Sequence, residues 1–171
     1  MIIRQADTSD LEEIYQLVQE AFEPAEESDG SEHDLVRALT TSKAFVPELS
    51  LVAQADTEEG QLIGYILFTE VSINNDTALA LAPLAVKAGY RGQGVGRSLI
   101  EEGHQRAKDM GYPLSVVLGS DTYYSQFAYE PAATFGITAP FEVPSKYFRV
   151  RLLTDPLSIK GEVEYAPEFG I

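Results

Sequence analysis

At 171 residues, 44% of them hydrophobic and 23% charged, the chain reads as one globular domain with a sizeable core. Asp and Glu number 27 against 12 Lys and Arg, so at a formal net charge of −15 most of the surface repels nucleic acid and tolerates a cationic amine. The absence of cysteine excludes disulfides, thiolate metal sites and a cysteine nucleophile, and two histidines, His33 and His104, are too few to favour a histidine-based metal site.

Ile2-Ile3-Arg4 is a short strand candidate. Ser9 and Glu12 fit a capping box, opening a helix whose apolar face carries Leu11, Ile14, Tyr15, Val18 and Phe22. Pro24 ends that helix, and Glu26 to Asp29 form an acidic linker that reads as a solvated loop. Ser31 is placed to cap a second helix with Leu35, Val36 and Leu39 on one side, and His33 in its first turn reads as a surface residue. From Leu49 the pattern turns to strands: Leu49 to Ala55, Gln61 to Ile73 and Ala78 to Val86. Asn74-Asn75-Asp76 forms a hairpin turn between the last two. Leu114 to Leu118 reads as a buried strand and Tyr123 to Phe127 as a turn or two of helix. Phe141 to Val143 and Tyr147 to Leu153 read as closing strands, and the tail, with Pro156, Gly161 and Pro167, as a surface wrap. Neither H-E-x-x-H nor G-x-S-x-G occurs. No apolar run reaches membrane-spanning length and no basic, apolar leader follows Met1, so a cytoplasmic protein with no membrane partner is expected.

The most informative stretch is Leu84 to Ile100. The apolar run ending at Val86 meets Gly89, Gly92, Gly94 and Gly96, and Val95, Leu99, Gly103, Ala107 and Met110 then recur at helical spacing. Strand, glycine-rich loop and helix in that order can aim several backbone N–H groups at one anion, helped by the helix dipole and by Arg91 and Arg97. The bland alternative is a tight strand-to-helix turn with no ligand. A dinucleotide fingerprint starting at Gly92 needs a third glycine where Arg97 stands. A P-loop starting at Gly89 needs lysine where Val95 stands.

What remains, Arg91-Gly92-Gln93-Gly94-Val95-Gly96, resembles the (Arg/Gln)-x-x-Gly-x-(Gly/Ala) signature of the GNAT superfamily of N-acetyltransferases. The likeness extends over nearly the whole chain. Pro47 to Ala53, Pro83 to Val86, Val117 to Gly119 with Tyr123-Tyr124, and Phe141 to Pro144 resemble a bacterial branch of predicted N-acetyltransferases. The resemblance implies a single domain over 1–171 with 153–171 packing on it as a C-terminal extension. The implied fold is α/β (α+β), a mixed, mostly antiparallel central sheet with flanking helices and a splayed strand pair at the CoA site. It also implies acetyl-CoA as co-substrate, no metal, an unidentified amine as the other partner, and a monomer or homodimer.

By resemblance, Leu84, Ala85 and Val86 offer free backbone groups to the pantetheine arm. The pyrophosphate falls to the amides of Arg91, Gly92, Gln93, Gly94, Val95, Gly96 and Arg97, with Ser98 in the first helical turn. Tyr124 holds the place of the tyrosine in the family's Tyr-x-x-x-Gly-Phe, which protonates the departing thiolate; Tyr123 is the neighbouring candidate. Ala128 stands where that pattern has Gly, and Tyr129 where it has Phe. Glu48, Glu70 and Glu142 are candidates for a general base, which stays unassigned. A non-catalytic acyl-CoA-binding or sensor domain is the alternative to an enzyme.

Overall fold

The computed structural model describes residues 1–25, 28–155 and 158–171. Strand β1 (Ile2–Gln5) is followed by α1 (Leu11–Phe22), α2 (Glu32–Leu39) and the meander β2 (Phe45–Gln54), β3 (Leu62–Ile73) and β4 (Asp76–Val86). Then come α3 (Val95–Asp109), β5 (Leu114–Leu118), α4 (Asp121–Tyr124), β6 (Glu130–Pro131), β7 (Ile137–Thr138), β8 (Phe148–Leu152) and β9 (Gly161–Glu164). The main sheet runs β1-β2-β3-β4-β5-β8-β6, antiparallel except where β4 meets β5, while β9 pairs with β3 and β7. The fold is therefore the expected mixed, mostly antiparallel sheet with flanking helices.

Side-chain alternation splits the sheet into two buried faces. Ile66, Phe68, Leu79 and Leu81 pack with Val95, Leu99 and Ala107 of α3. Tyr65, Leu67 and Val52 pack under α1 and α2, against Ile14, Val18, Val36 and Leu39. A further cluster joins Leu114 and Val116 of β5 and Val150 of β8 to Ala132, Ile137 and Val163. The Asn74–Asn75 turn has both residues at positive φ, 50° and 72°, as a two-residue hairpin of this twist demands.

Several local expectations are corrected. The cap of the first helical segment is Asp7, not Ser9: Asp7 Oδ1 accepts from the Ser9 amide at 2.8 Å, and Asp10 Oδ2 accepts from the Asp7 amide at 2.9 Å. Asp10 also takes a bidentate pair from Arg4, at 2.7 and 2.9 Å, so one carboxylate ties β1 to the helix entry. Ser31 spends its hydroxyl on Asp29 rather than on the α2 amides. Phe141 to Val143 forms no strand, because Pro140 and Pro144 flank it and remove the donors a ladder needs. The tail does more than wrap, since Gly161–Glu164 adds a strand to β3. Of the acidic linker, Glu26 and Glu27 lie outside the described residues, as does Pro156.

Two features of β4 open a space beside it. Opposite Leu67, its Ala82 and Pro83 form a bulge between the Phe68↔Leu81 and Ile66↔Leu84 pairs. Beyond that bulge β4 has no partner on its far side: its parallel pairing with β5 is confined to Leu79↔Ser115 and Ala80↔Val116. The strands part from there, leaving a V-shaped gap between Leu84–Val86 and the end of β5.

Candidate active site

The gap opens into a cavity of about 670 Å³. One wall is β4 itself, through Leu84, Ala85 and Val86. The Lys87 amide donates to the Ile63 carbonyl at 2.9 Å. That bond makes Gly64↔Val86 a non-hydrogen-bonded pair and turns the amide and carbonyl of Val86 away from β3, into the gap; by alternation Leu84 does the same.

The second wall is the glycine loop. Arg91, Gly92 and Gly94 line the cavity, joined by Val95, Gly96 and Arg97 from the first turn of α3. Gly92 and Gly94 sit at φ 73° and 86°, where an L side chain is strained, and a Cβ at either meets nothing within 4 Å. The loop is thus bent by glycine and left open on its outer side. Among the described residues, the amides of Gly92 to Arg97 find no acceptor, so a row of donors at a helix N-terminus faces outward. Gln93 is exposed, its side chain donating to the Gly89 carbonyl at 3.2 Å; Ser98, its amide on the Gly94 carbonyl, lies beside the cavity rather than in its lining.

The third wall is side chain. Ser120 caps α4, its hydroxyl accepting from the Tyr123 amide at 3.2 Å; the short helix presents Tyr123 to the cavity, and the 3-10 turn after it presents Gln126 and Phe127. The Tyr123 hydroxyl lies directly over Gly96: a Cβ there would stand 2.5 Å from it. Tyr124 points to the end of β5, its ring on Gly119, where a Cβ would meet it at 2.6 Å, and edge-on to Tyr129 at 5.6 Å between centroids. Burial pushes the Tyr124 phenol above its usual pKa range, with Tyr123 adding to the shift, so the hydroxyl keeps its proton at neutral pH. The structure therefore puts Tyr123 in the cavity lining and Tyr124 outside it, packed on Gly119 just past the end of β5. Arg97 bridges two walls, its guanidinium 4.9 Å over the Phe127 ring and 3.4 Å from Gln126 Oε1.

A fourth wall has no counterpart in the motifs. Ala21, Phe22, Pro24 and Ala25, at the end of α1, close the cavity from above. Arg91 fastens them, donating to the Ala21 carbonyl at 2.9 Å and to the Val86 carbonyl at 3.2 Å. Tyr90 also lines the cavity, its hydroxyl accepting from Gln61 at 2.9 Å. None of the acidic candidates reaches this lining. Glu70 accepts from the Tyr112 hydroxyl at 2.7 Å, Glu48 is exposed on β2, and Glu142 borders a separate cavity of about 330 Å³. Among the described residues no cluster of three or more His, Asp or Glu is arranged to hold a metal, and no helix is long and apolar enough to cross a membrane.

A strand gap, an outward-facing amide row and a tyrosine helix around one cavity match what sequence comparison finds. The profile of the acetyltransferase (GNAT) family matches residues 11–130. The chain belongs to that family. Among its GNAT relatives, the uncharacterised N-acetyltransferase YjhQ of Escherichia coli K12 is 34% identical over 169 residues, 94% of this chain and 89% of its own. The uncharacterised N-acetyltransferase YhbS of the same strain is 37% identical over 126 residues, 71% of this chain and 75% of its own. The crystal structure of YhbS in complex with CoA superposes with a TM-score of 0.89 at 33% identity, covering 99% of this chain and 92% of that one. A GNAT acetyltransferase from Brucella melitensis, in complex with acetyl-CoA, gives 0.82 at 30% identity, covering 98% and 97%.

Proposed function

We propose that this GNAT protein moves the acetyl group of acetyl-CoA to a primary amine of a small molecule or of a protein, by direct transfer. The observation that carries this reading is that the outward-turned edge of β4 and the free amides of the glycine loop open into one cavity. A pantetheine arm needs the first and a pyrophosphate the second. The loop fits that load: its glycines keep Cβ atoms out of the anion's path, and Arg97 adds a full charge.

In this reading the pyrophosphate lies on the amides of Gly92 to Arg97, with Ser98 behind them in the first turn of α3; Arg91, whose own amide donates to the Ala88 carbonyl at 3.5 Å, stands at the edge of the row. The pantetheine runs along Leu84, Ala85 and Val86. The neutral amine attacks the thioester carbonyl carbon, and an outward N–H of β4, that of Val86, steadies the oxyanion. The C–S bond then breaks, the thiolate takes the Tyr124 proton, the proton lost by the amine passes through water to a carboxylate, and Tyr124 regains a proton from solvent before the next turnover. The acidic protein keeps cationic amines nearby, and the same charge keeps nucleic acid away.

Calorimetry with acetyl-CoA, NAD and ATP tests the cradle, with binding expected for acetyl-CoA alone. Turnover is read as thiol released against a panel of amines. The chain has no cysteine of its own, so a thiol reagent reports CoA without background. Tight binding with no thiol release from any amine would leave a CoA-binding module in place of an enzyme.

A further inference from the structure

The tyrosine helix is anchored by a polar group sunk in the core. Tyr129 is 1% exposed, yet its hydroxyl is shared between His104 Nε2 of α3 and Ser115 Oγ of β5, each at 2.9 Å. His104 and Ser115 are buried as well, at 6% and 0% exposure. Two proton arrangements satisfy the chain, Ser115 to Tyr129 to His104 or the reverse, and either pins the phenol between helix and sheet. The backbone of the same residue is clamped: Arg149 Nε and Nη2 donate to the Tyr129 carbonyl at 3.2 and 2.9 Å. Arg151 Nη1 holds the Phe127 carbonyl at 2.8 Å, one residue before the left-handed Ala128 at φ 62°. The Tyr129 amide returns to the Tyr124 carbonyl at 3.3 Å, and the Tyr129 ring meets the Tyr124 ring edge-on.

We propose that Tyr129 is a positioning residue, whose hydroxyl, held by His104 and Ser115, sets the Tyr124 ring against Gly119 at the end of β5. The inference rests on the acetyltransferase reading for its catalytic consequence, but its geometry is separate. A buried polar group is costly unless paired, and here the partners lie on α3, whose first turn lines the cavity, and on β5, which borders the strand gap. The hydroxyl therefore couples the helix that carries the amide row to the helix that carries the proton donor. Misplacing a proton donor by about 1 Å lowers rate far more than it lowers substrate affinity.

The test is Tyr129→Phe, which keeps the ring and removes the bond. The expected result is a fall in kcat of roughly tenfold or more with the KM for acetyl-CoA within about twofold, and displaced Tyr124 ring resonances in NMR spectra. His104→Gln, whose amide can still meet the phenol, should retain most of kcat, while His104→Leu should behave like Tyr129→Phe. If Tyr129→Phe does not fold, Ser115→Ala is the milder cut and is read the same way. A lower Tm with unchanged kcat and unchanged Tyr124 resonances would reduce the network to a stabilising core contact and overturn the proposal. Should the wild type turn over no amine at all, the enzyme reading fails, and the Tyr124 resonances still decide the positioning claim.

Discussion

The glycine-loop wall and the tyrosine wall of the cavity face each other across a few ångströms and are made of different material. On the loop side the ligand-facing surface is backbone, bent by Gly92 and Gly94 and unpaired from Gly92 to Arg97 among the described residues. On the tyrosine side it is side chain, and its supports are long-range: Arg149, Arg151, His104 and Ser115 all reach the segment from distant positions. An anion cradle is best built from backbone, because amides are fixed in direction and carry no flexible side chain to order. A proton donor has to be a side chain, and its direction is only as good as the packing behind it. The loop wall should therefore respond to changes in binding, and the tyrosine wall to changes in rate.

The largest effect is expected from Gly94→Asp. It forces a side chain onto φ 86° and sets a carboxylate at the amide row, so acetyl-CoA affinity should fall by roughly a hundredfold or more. Gly94→Ala carries the strain without the charge and should lose about tenfold. Equal affinity for wild type and Gly94→Asp, measured by calorimetry, would remove the loop from the site. On the opposite wall, Tyr124→Phe should leave acetyl-CoA affinity nearly unchanged and lower turnover by roughly ten- to thirtyfold, the modest end for a lost general acid because a CoA thiolate is a fair leaving group. If Tyr123→Phe is the slow variant instead, the hydroxyl over Gly96 is the donor; if neither is slow, water delivers the proton.

The same contrast explains how much of the molecule is legible in its sequence. The α1 face, the Asn74–Asn75 turn and the glycine loop are local statements: periodicity, turn chemistry and a motif fix each within a dozen residues. The strand gap at Leu84–Val86 follows from family resemblance, and the structure gives its physical form, a bulge followed by loss of the β5 partner. From Ala128 to Tyr147 little is legible. The two-residue strands β6 and β7 exist only because β8 and β9 pair with them, and Phe141 to Val143 imitates a strand between two prolines. Asp7 outcompetes Ser9 as cap because its carboxylate can serve the helix while Asp10 answers both the Asp7 amide and Arg4. The α1 end of the cavity, Ala21 to Ala25, has no local signal, since its role depends on Arg91 reaching back across the fold.

Acidity separates the buried support of the tyrosine wall from the exposed loop wall. Burial first, and the charge of Arg151 second, lower the His104 pKa from 6.5 to about 3. Between those values the unfolded chain takes up a proton that the native imidazole refuses. The stabilisation is complete well above pH 6.5 and is lost as the pH falls toward about 3, most steeply midway, at about 1.4 kcal/mol per pH unit. His104→Gln has no such group. Going from pH 6.5, where the unfolded imidazole is already half protonated, to 5.5, the wild type should lose about 1 kcal/mol more than the variant, or about 2–4 °C in Tm. The carboxylates titrate alike in both proteins and cancel in that difference. Parallel Tm curves would mean that native His104 accepts a proton near its ordinary pKa and is not sealed in the core.

The smallest effect is expected where the two walls touch. Gly96 belongs to the loop wall and the Tyr123 hydroxyl to the tyrosine wall, and an added Cβ at Gly96 would come within 2.5 Å of that hydroxyl. Something must shift, and the part that can is the end of the tyrosine ring, which would tilt into the cavity. Gly96 stands in the first turn of α3 with an ordinary φ, where alanine carries no backbone strain and restricts the unfolded chain more than glycine, so Tm should hold or rise. The cost should appear as a rise of roughly two- to fivefold in the KM for acetyl-CoA, the size of a small steric penalty in a site with room to adjust. Gly89→Ala is the matched control, since a Cβ there meets nothing within 4 Å and its φ is ordinary. The double variant Gly96→Ala, Tyr123→Phe removes the hydroxyl that the Cβ strikes and should recover most of the lost affinity. If it recovers none, the methyl acts on the amide row itself, and the two walls meet without touching.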